Sequence, residues 1–198
     1  MRKSGILGYP LGHSISPYFQ NAAFTNLGIE ATYEAWSVDA VGLSERVQAL
    51  RQSDFLGANV TIPYKELVMP LLDEIDGWAL KIGSVNTIVN RSGILVGYNT
   101  DTVGFIRAIS EYGNYEPSGQ DVLLIGAGGA ARAAAHALME AKVNTLWIAN
   151  RTYERAKRLA DEFSEIGGAK PIRLNGPEFS KSASSVSLIV NSTSLGMK

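Results

Sequence analysis

The chain has 198 residues, of which 45% are hydrophobic and 19% are charged, and 18 basic against 19 acidic side chains leave a net charge of −1. This balance offers no basic footprint for nucleic acid or an anionic membrane, and no apolar stretch approaches the roughly 20 residues that span a bilayer. The lack of cysteine excludes disulfides and cysteine-based zinc sites, so we assign no metal site and expect a cytoplasmic globular protein of one or two domains.

The first half of the chain alternates predicted strands and helices. Strands are predicted at 4–8, 31–38 and 55–61 and helices at 17–27 and 42–52, an order that favours three parallel strands. Further helices are predicted at 76–82 and at 65–72, where Pro70 stops or bends the second of them. Strands at 85–90 and 94–98, joined by residues 91–93, are typical of a β-hairpin.

The second half of the chain has a more regular pattern. A helix is predicted at 102–112 and a linker at 113–120, which places a domain boundary at about residues 101–103. Strands at 122–125, 145–149, 170–174 and 186–191 alternate with helices at 130–141 and 153–163. This is the order of a doubly wound α/β sheet that stops short of the usual complement of about six strands.

A glycine-rich turn joins the first strand and the first helix of that sheet. The segment Asp121–Ala133 contains Gly126-x-Gly128-x-x-Ala131 between a buried strand and a helix-forming run, which is the context of a dinucleotide-binding turn. The first glycine permits the tight turn, the second admits a diphosphate, and the small Ala131 lets the helix pack closely. We expect the diphosphate at the helix N-terminus, where N–H groups and the helix dipole favour an anion.

The end of the second strand of this sheet indicates which dinucleotide is bound. An NAD site needs a carboxylate there, but this strand ends in Asn150-Arg151-Thr152. Arg151 and Arg155 lie four residues apart, on one face of a helix start, where two guanidinium groups would clamp a 2′-phosphate. The alternative is that they lie, together with Arg158, Glu154 and Asp161, on a solvated helix, but basic residues in a first helical turn oppose the dipole. The pattern therefore favours NADP over NAD.

Two residues of the first half are candidates for acid–base chemistry. Lys65 follows a predicted parallel strand at its carboxyl end, where open α/β sheets bind ligands, and Asp101 follows the last strand of the hairpin. A surface lysine and a helix N-cap are the simpler interpretations of each residue alone. Together they predict a Lys–Asp pair facing the cofactor half, in which the lysine moves a proton while hydride is transferred at the same carbon.

Ser14 and Ser16 surround the predicted start of the first helix. Ser16 followed by Pro17 is typical of an N-cap followed by the first helical residue. Hydroxyl groups at a helix start are also suited to binding a carboxylate. Both interpretations stay open at this point.

Seven motifs resemble those of the shikimate dehydrogenase family, and they occur in the same order along the whole chain. In the first half they are Gly12-His13-Ser14-Ile15-Ser16-Pro17, Asn59–Lys65, Gly83-Ser84-Val85-Asn86-Thr87 and Asn99-Thr100-Asp101-x-x-Gly104. In the second half they are Gly126-Ala127-Gly128-Gly129-Ala130, Asn150-Arg151-Thr152 and Asn191-Ser192-Thr193-Ser194-Leu195-Gly196-Met197.

The resemblance implies an α/β fold with an N-terminal substrate domain, 1–101, whose sheet is mostly parallel. A Rossmann-like NADP-binding domain, 102–198, would follow and be incomplete at its C-terminus. The implied activity is the reversible, NADPH-dependent reduction of 3-dehydroshikimate to shikimate, on the route to aromatic amino acids.

Site residues follow from the matching motif positions. Lys65 and Asp101 would be the catalytic pair. Ser14 and Ser16 would hold the substrate carboxylate, and Thr61 and Asn86 would bind ring hydroxyls. The diphosphate would be cradled by Gly126, Ala127, Gly128, Gly129 and Ala130. The 2′-phosphate would be read by Asn150, Arg151, Thr152 and Arg155.

Two departures from the family pattern affect these expectations. Gln20-Asn21 stands where the family usually has His-Asn, for which we expect a change in packing and no loss of the reaction. The family also continues past this sequence with further strands and a helix that carries a substrate-contacting glutamine, without which we expect weak or no activity. The alternatives are a relative acting on quinate or an amino or deoxy analogue, and a module that only binds NADP or a ligand. The expected partner is a small molecule, and the expected assembly a monomer or homodimer.

Overall fold

A computed structural model describes residues 1–12 and 14–196 of the chain. The chain divides into two compact units, one of Met1–Thr100 and one that begins at Asp101. Each unit has its own β-sheet and its own hydrophobic core. Within the described residues, no helix is both long and apolar enough to cross a membrane.

The first unit is built on a mixed sheet with the strand order β2-β1-β3-β5-β6-β4. Its strands are β1 Arg2–Gly8, β2 Ala31–Ser37, β3 Phe55–Val60, β4 Glu74–Ile75, β5 Thr87–Arg91 and β6 Ile94–Tyr98. Strand β1 pairs in parallel with β2 and β3, and β5 pairs antiparallel with β6, which confirms the predicted parallel strands and the predicted hairpin. Strand β4 has two residues and pairs in parallel with β6, and it is too short for alternation in the sequence to predict it.

Gly57 explains how β3 passes through this sheet. The register between β1 and β3 shifts between Lys3 and Ser4, and Gly57 has a φ of +146° at that point. A Cβ atom there would lie 2.0 Å from the carbonyl oxygen of Ile88 on β5. The bulge therefore depends on the lack of a side chain at this residue.

The helices of the first unit are α1 Ser16–Asn26, α2 Leu43–Ala49 and α3 Gly77–Ile82. The predicted helix at 65–72 is wrong. This segment consists of turns and one 3₁₀ turn, Met69–Leu71, because Pro70 supplies no N–H group for the i to i−4 bond that a continuing α-helix needs. Val68 of this segment, and Tyr64 directly before it, nevertheless pack in the core.

Asn21 attaches α1 to the sheet of the first unit. Its side-chain amide donates to the carbonyl oxygens of Pro17 at 2.7 Å and of Tyr33 at 2.9 Å. Its Oδ1 accepts the backbone N–H of Tyr33 at 2.9 Å. These bonds hold the start of α1 against β2, so they also position the segment around Ser14 and Ser16.

The second unit has a parallel sheet with the strand order β10-β7-β8-β9, which confirms the predicted doubly wound arrangement. Its elements are α4 Asp101–Arg107, which continues in a π-helical turn Ala108–Tyr112, then β7 Asp121–Ile125, α5 Gly129–Glu140, β8 Thr145–Asn150, α6 Tyr153–Asp161, β9 Ala169–Arg173, α7 Pro177–Ser185 and β10 Leu188–Asn191. The sequence pattern does not predict α7, whose serine-rich composition resembles a loop although Pro177 starts it favourably.

Helix α5 packs on the sheet through its smallest side chains. Ala131 and Ala135 are completely buried, together with Leu138 one turn further on. They contact the buried strand residues Val122 and Leu124 in the same core cluster. Because alanine side chains are short, α5 lies close to β7, and the glycine-rich turn before it is correspondingly tight.

Candidate active site and cofactor site

The glycine-rich turn between β7 and α5 has the backbone that the sequence motif requires. Gly126 has a φ of +122°, and a Cβ atom there would lie 2.2 Å from the Ser192 Oγ, which donates to the Ile125 carbonyl oxygen at 2.8 Å. Gly128 is the N-cap of α5 and forms no side-chain cap bond, and a Cβ atom there would meet no atom within 4 Å. The turn thus leaves space at a helix N-terminus, which suits a diphosphate.

The end of β8 and the first turn of α6 carry Arg151 and Arg155, with Glu154 as the acidic residue of that turn. Asn150 donates through Nδ2 to the carbonyl oxygen of Thr152 at 2.9 Å, and Thr152 is the N-cap of α6. Arg151 and Arg155 are exposed, and neither forms an ion pair with any described residue. Two unpaired guanidinium groups at the carboxyl end of a parallel strand suit a phosphate group.

Asn86 is at the centre of a polar cluster in the first unit. Its side chain is 8% exposed, its Oδ1 accepts the Thr100 N–H at 3.0 Å, and its Nδ2 donates to the Thr100 Oγ1 at 2.8 Å. The Oδ1 also accepts the Thr87 hydroxyl at 2.9 Å. These three bonds determine which way the Asn86 amide faces.

The cluster extends from Thr87 on β5 across the sheet to Tyr33 on the edge strand β2. Asn59 donates through Nδ2 to the Thr87 Oγ1 at 3.3 Å, and its Oδ1 accepts the Tyr33 hydroxyl at 2.6 Å. The Tyr33 hydroxyl donates because the Asn59 Oδ1 can only accept, and burial raises the pKa of Tyr33 to about 12. Sequence analysis did not single out Tyr33, Thr87 or Thr100. The only signal in the sequence was that Asn59, Thr87 and Thr100 lie inside motifs that resemble those of the shikimate dehydrogenase family.

Thr61 and Lys65 lie at the carboxyl end of β3. The Thr61 N–H donates to the Leu7 carbonyl oxygen at 2.9 Å, and the carbonyl oxygen of Lys65, a half-buried residue, accepts the Val85 N–H at 2.8 Å. The Val60 N–H donates to the Asn86 carbonyl oxygen at 2.7 Å. These backbone bonds bring Thr61, Lys65 and Asn86 to one end of the sheet in the first unit.

The start of α1 differs from the prediction. Ser16 is the first helical residue and Ile15 is the N-cap, without a side-chain cap bond. The prediction that Ser16 is the N-cap is therefore wrong. The reason is that the Ser14 Oγ accepts the Ser16 N–H at 3.3 Å, which lets the helix begin one residue earlier. The Ser16 hydroxyl thus has no capping role within the described residues.

Asp101 is the first residue of α4 and is half-buried. It therefore lies inside the helix, where the dipole favours a negative charge. Lys65 belongs to the first unit and Asp101 to the second, and their pairing stays a prediction. His13 and Met197 of the sequence motifs lie outside the described residues.

The second unit has a parallel sheet, a tight glycine turn and two arginines without an ion pair among the described residues, and these features define a dinucleotide-binding α/β protein. The family model described as the shikimate dehydrogenase substrate binding domain matches residues 6–88, and the one described as shikimate / quinate 5-dehydrogenase matches residues 110–195. The chain belongs to the shikimate dehydrogenase family.

Individual relatives agree with this assignment. The shikimate dehydrogenase (NADP(+)) of Moorella thermoacetica is 44% identical over 97% of this chain, which spans 65% of that relative's length. A shikimate dehydrogenase structure from Aquifex aeolicus has a TM-score of 0.89 at 36% identity and covers 100% of this chain and 71% of its own. The Thermus thermophilus enzyme, solved with NADP(H) and shikimate, has a TM-score of 0.84 at 39% identity. The match covers 98% of this chain and 69% of the Thermus chain.

Proposed function

We propose that this chain takes part in the NADPH-dependent, reversible reduction of 3-dehydroshikimate to shikimate. The observation that carries the proposal is the 44% identity, over 97% of the chain, to a relative named as an NADP-dependent shikimate dehydrogenase. In this proposal residues 1–101 form the substrate-binding and catalytic domain, and residues 102–198 form the NADP-binding domain.

The chemistry adds one hydride and one proton across a ketone. NADPH, when bound, supplies the hydride to the carbonyl carbon. Lys65 donates the proton to the carbonyl oxygen and takes it back in the reverse reaction, with Asp101 as its carboxylate partner. The half-buried position of Lys65 at the end of β3, where open α/β sheets bind ligands, supports its assignment.

Substrate orientation is assigned to four polar residues of the first unit. Ser14 and Ser16 bind the substrate carboxylate, which is consistent with a Ser16 hydroxyl that does not cap α1. Thr61 and Asn86 bind ring hydroxyls. The backbone bonds that join the ends of β3 and β5 support this grouping.

Cofactor binding is assigned to the residues at the carboxyl ends of β7 and β8 in the second unit. Gly126, Ala127, Gly128, Gly129 and Ala130 hold the diphosphate at the start of α5. The 2′-phosphate of NADP is recognised by Asn150, Arg151, Thr152 and Arg155. We expect Arg151→Ala to weaken NADP binding about ten-fold with little effect on NAD. Equal affinity of the unmutated protein for the two cofactors would contradict this preference.

Steady-state reduction of NADP⁺ tests the activity. We expect turnover with shikimate, and we expect Lys65→Ala to lower kcat by a factor of about 10²–10⁴ while shikimate still binds. Lys181→Ala, at an exposed position on α7, is the control that removes one positive charge elsewhere. A Lys65→Ala protein with unchanged kcat would refute the proposed role of Lys65.

A second candidate substrate is quinate, because the family model that matches residues 110–195 is described by both substrates. The same assay with quinate distinguishes the two. Binding of NADP or shikimate without turnover would indicate the third alternative, a module that only binds. The cytoplasm as location, and a monomer or homodimer as assembly, stay predictions.

A further inference from the structure

Arg173 lies beside the proposed 2′-phosphate site, although no motif includes it. It is the last residue of β9, and in the parallel pairing of β8 and β9 it is the register partner of Asn150. Paired residues of neighbouring strands lie about 4.8 Å apart and point to the same face of the sheet. Arg173 therefore starts from the same edge and the same face as Asn150.

Tyr153 holds the Arg173 side chain at this edge. The Arg173 Cζ lies 4.6 Å from the centroid of the Tyr153 ring, and Tyr153 is the first residue of α6, directly after Thr152. The Arg173 carbonyl oxygen also accepts the Gly176 N–H at 3.0 Å, which closes a turn after β9. Both the backbone and the guanidinium group of Arg173 are thus positioned next to the Asn150–Thr152 segment.

The charge of Arg173 is not used within the described part of the chain. In the second unit, Arg107 pairs with Glu111 and Arg132 pairs with Glu162. Arg173, like Arg151 and Arg155, is exposed and forms no ion pair or side-chain hydrogen bond with a described residue. Three guanidinium groups without acidic partners therefore occupy the carboxyl ends of β8 and β9 and the start of α6.

We propose that Arg173, whose guanidinium group lies over the Tyr153 ring, is a further specificity-determining residue that contacts the 2′-phosphate of NADP. This inference rests on the proposed function, since it assumes that the site binds an adenosine 2′-phosphate. A guanidinium group that lies over an aromatic ring keeps N–H donors that can bind phosphate oxygens. The phenol ring limits the rotamers of Arg173, so less side-chain entropy is lost on binding.

Binding of NADP⁺, NAD⁺ and adenosine 2′,5′-bisphosphate to the full chain, measured by calorimetry, tests the proposal. Arg173→Ala should weaken NADP⁺ and the bisphosphate about ten-fold, as expected for one charge-assisted hydrogen bond, and leave NAD⁺ within about two-fold. Arg173→Lys keeps the charge but loses the planar fork, so its affinity for NADP⁺ should lie between those of the unmutated chain and of Arg173→Ala.

Lys170→Ala is a matched control. Lys170 lies on the same strand and over an aromatic ring, with its Nζ 5.2 Å from the centroid of Trp147, but an odd number of residues from Arg173 and so on the opposite face of β9. The Lys170→Ala substitution removes the same charge and a comparable cation–π contact. We expect it to leave the affinity for all three ligands unchanged.

The outcomes separate this inference from the proposed function. Equal losses for NADP⁺ and NAD⁺ in Arg173→Ala, or no loss for either, would overturn the role of Arg173 while NADP⁺ binding by the unmutated chain sustains the proposed cofactor. If Arg173→Ala fails to fold, Arg173→Lys tests the same role through the same NADP⁺ to NAD⁺ affinity ratio. Failure of the unmutated chain to bind NADP⁺ would refute both.

Discussion

The hydrogen bonds that lead from Tyr33 to Asn86 have a single direction. Because an amide oxygen can only accept, the Tyr33 hydroxyl donates to Asn59, whose amide NH₂ donates to Thr87, whose hydroxyl donates to Asn86. Reversing the Asn86 amide would place its NH₂ group against the Thr100 N–H. The chain of bonds therefore holds the Asn86 amide in one orientation.

We predict that Thr87→Val raises the KM for shikimate about five-fold with the KM for NADP unchanged. The substitution keeps the shape of the side chain but removes a hydrogen bond worth about 1 kcal/mol from Asn86. Thr87→Ser keeps the hydroxyl and should restore the KM. Parallel changes in the KM values of both substrates would indicate a general structural effect instead.

At Gly126 a single added methyl group would clash within the glycine-rich turn between β7 and α5. Gly126→Ala combines a φ of +122° with a contact of 2.2 Å to the Ser192 Oγ. We predict a loss of about 1–3 kcal/mol in the free energy of unfolding, together with loss of NADP binding, measured by chemical denaturation and calorimetry.

The double variant Gly126→Ala, Ser192→Ala checks this explanation. It removes the clashing oxygen but leaves the unfavourable φ, so it should recover only part of the lost stability. Full recovery would show that the backbone conformation of Gly126 contributes nothing.

At the scale of elements, an ion pair joins α5 to the end of α6. Arg132 donates from two nitrogens to the Glu162 carboxylate, at 2.7 and 2.8 Å, and the buried His136 Nε2 lies 3.7 Å from the same carboxylate. Burial of Glu162 acts to raise its pKa, but His136 and Arg132 outweigh this effect, and the pKa is lower than that of an ordinary glutamate. The pair therefore stabilises the ionised carboxylate and the helix that starts at the cofactor turn.

Glu162 should make stability depend on pH in the acid range. A lowered pKa in the folded state means that its contribution is complete above the unfolded value of about 4.3 and is lost as the pH falls through the folded value. We predict that Glu162→Gln costs about 1 kcal/mol at pH 7, discounted for partial exposure, and flattens the acid part of a stability-against-pH curve.

Asp161→Asn is the control for this prediction. Its partner Lys157 lies 2.7 Å away in an exposed i,i+4 pair on α6, and such pairs contribute only about 0.3–0.5 kcal/mol. A loss of stability in Asp161→Asn as large as that in Glu162→Gln would show that the Arg132–Glu162 ion pair contributes no more than an exposed pair does.

Elements differ in how well local sequence predicts them. The β7 and α5 pair was predicted because buried strand, glycine turn and alanine-rich helix agree with one another over a short distance. The prediction of a helix at 65–72 failed because the four-residue spacing of the core residues Tyr64 and Val68 is also that of a helix, while Pro70 and packing against the core select turns. Strand β4 exists only because its two residues pair with β6.

At the scale of the whole molecule, two units with separate cores should respond differently to the cofactor. The first core includes Leu7, Val47 and Ile88, and the second includes Val122, Leu138 and Leu146. We predict that NADP at about 100 times its Kd slows amide exchange in β7 and α5, with up to about 2.7 kcal/mol of added protection, and leaves β1 unchanged.

Mass spectrometry of peptides after hydrogen exchange measures this difference. Adenosine 2′,5′-bisphosphate serves as the matched ligand without the nicotinamide half. It should protect the start of α6 as much as NADP does. Equal protection of β1 by NADP would show that the two units open together.

The sequence by itself determined the alternation of strands and helices, the glycine turn at Gly126 and the positive end of β8. These features depend on contacts between residues that are near in the chain, where hydrophobic period, glycine and charge act directly. Tertiary structure alone decided the Tyr33–Asn59–Thr87–Asn86 network and the position of Arg173 beside Asn150. Strand pairing sets these contacts between residues far apart in the chain, and local patterns carry no record of the register that brings them together.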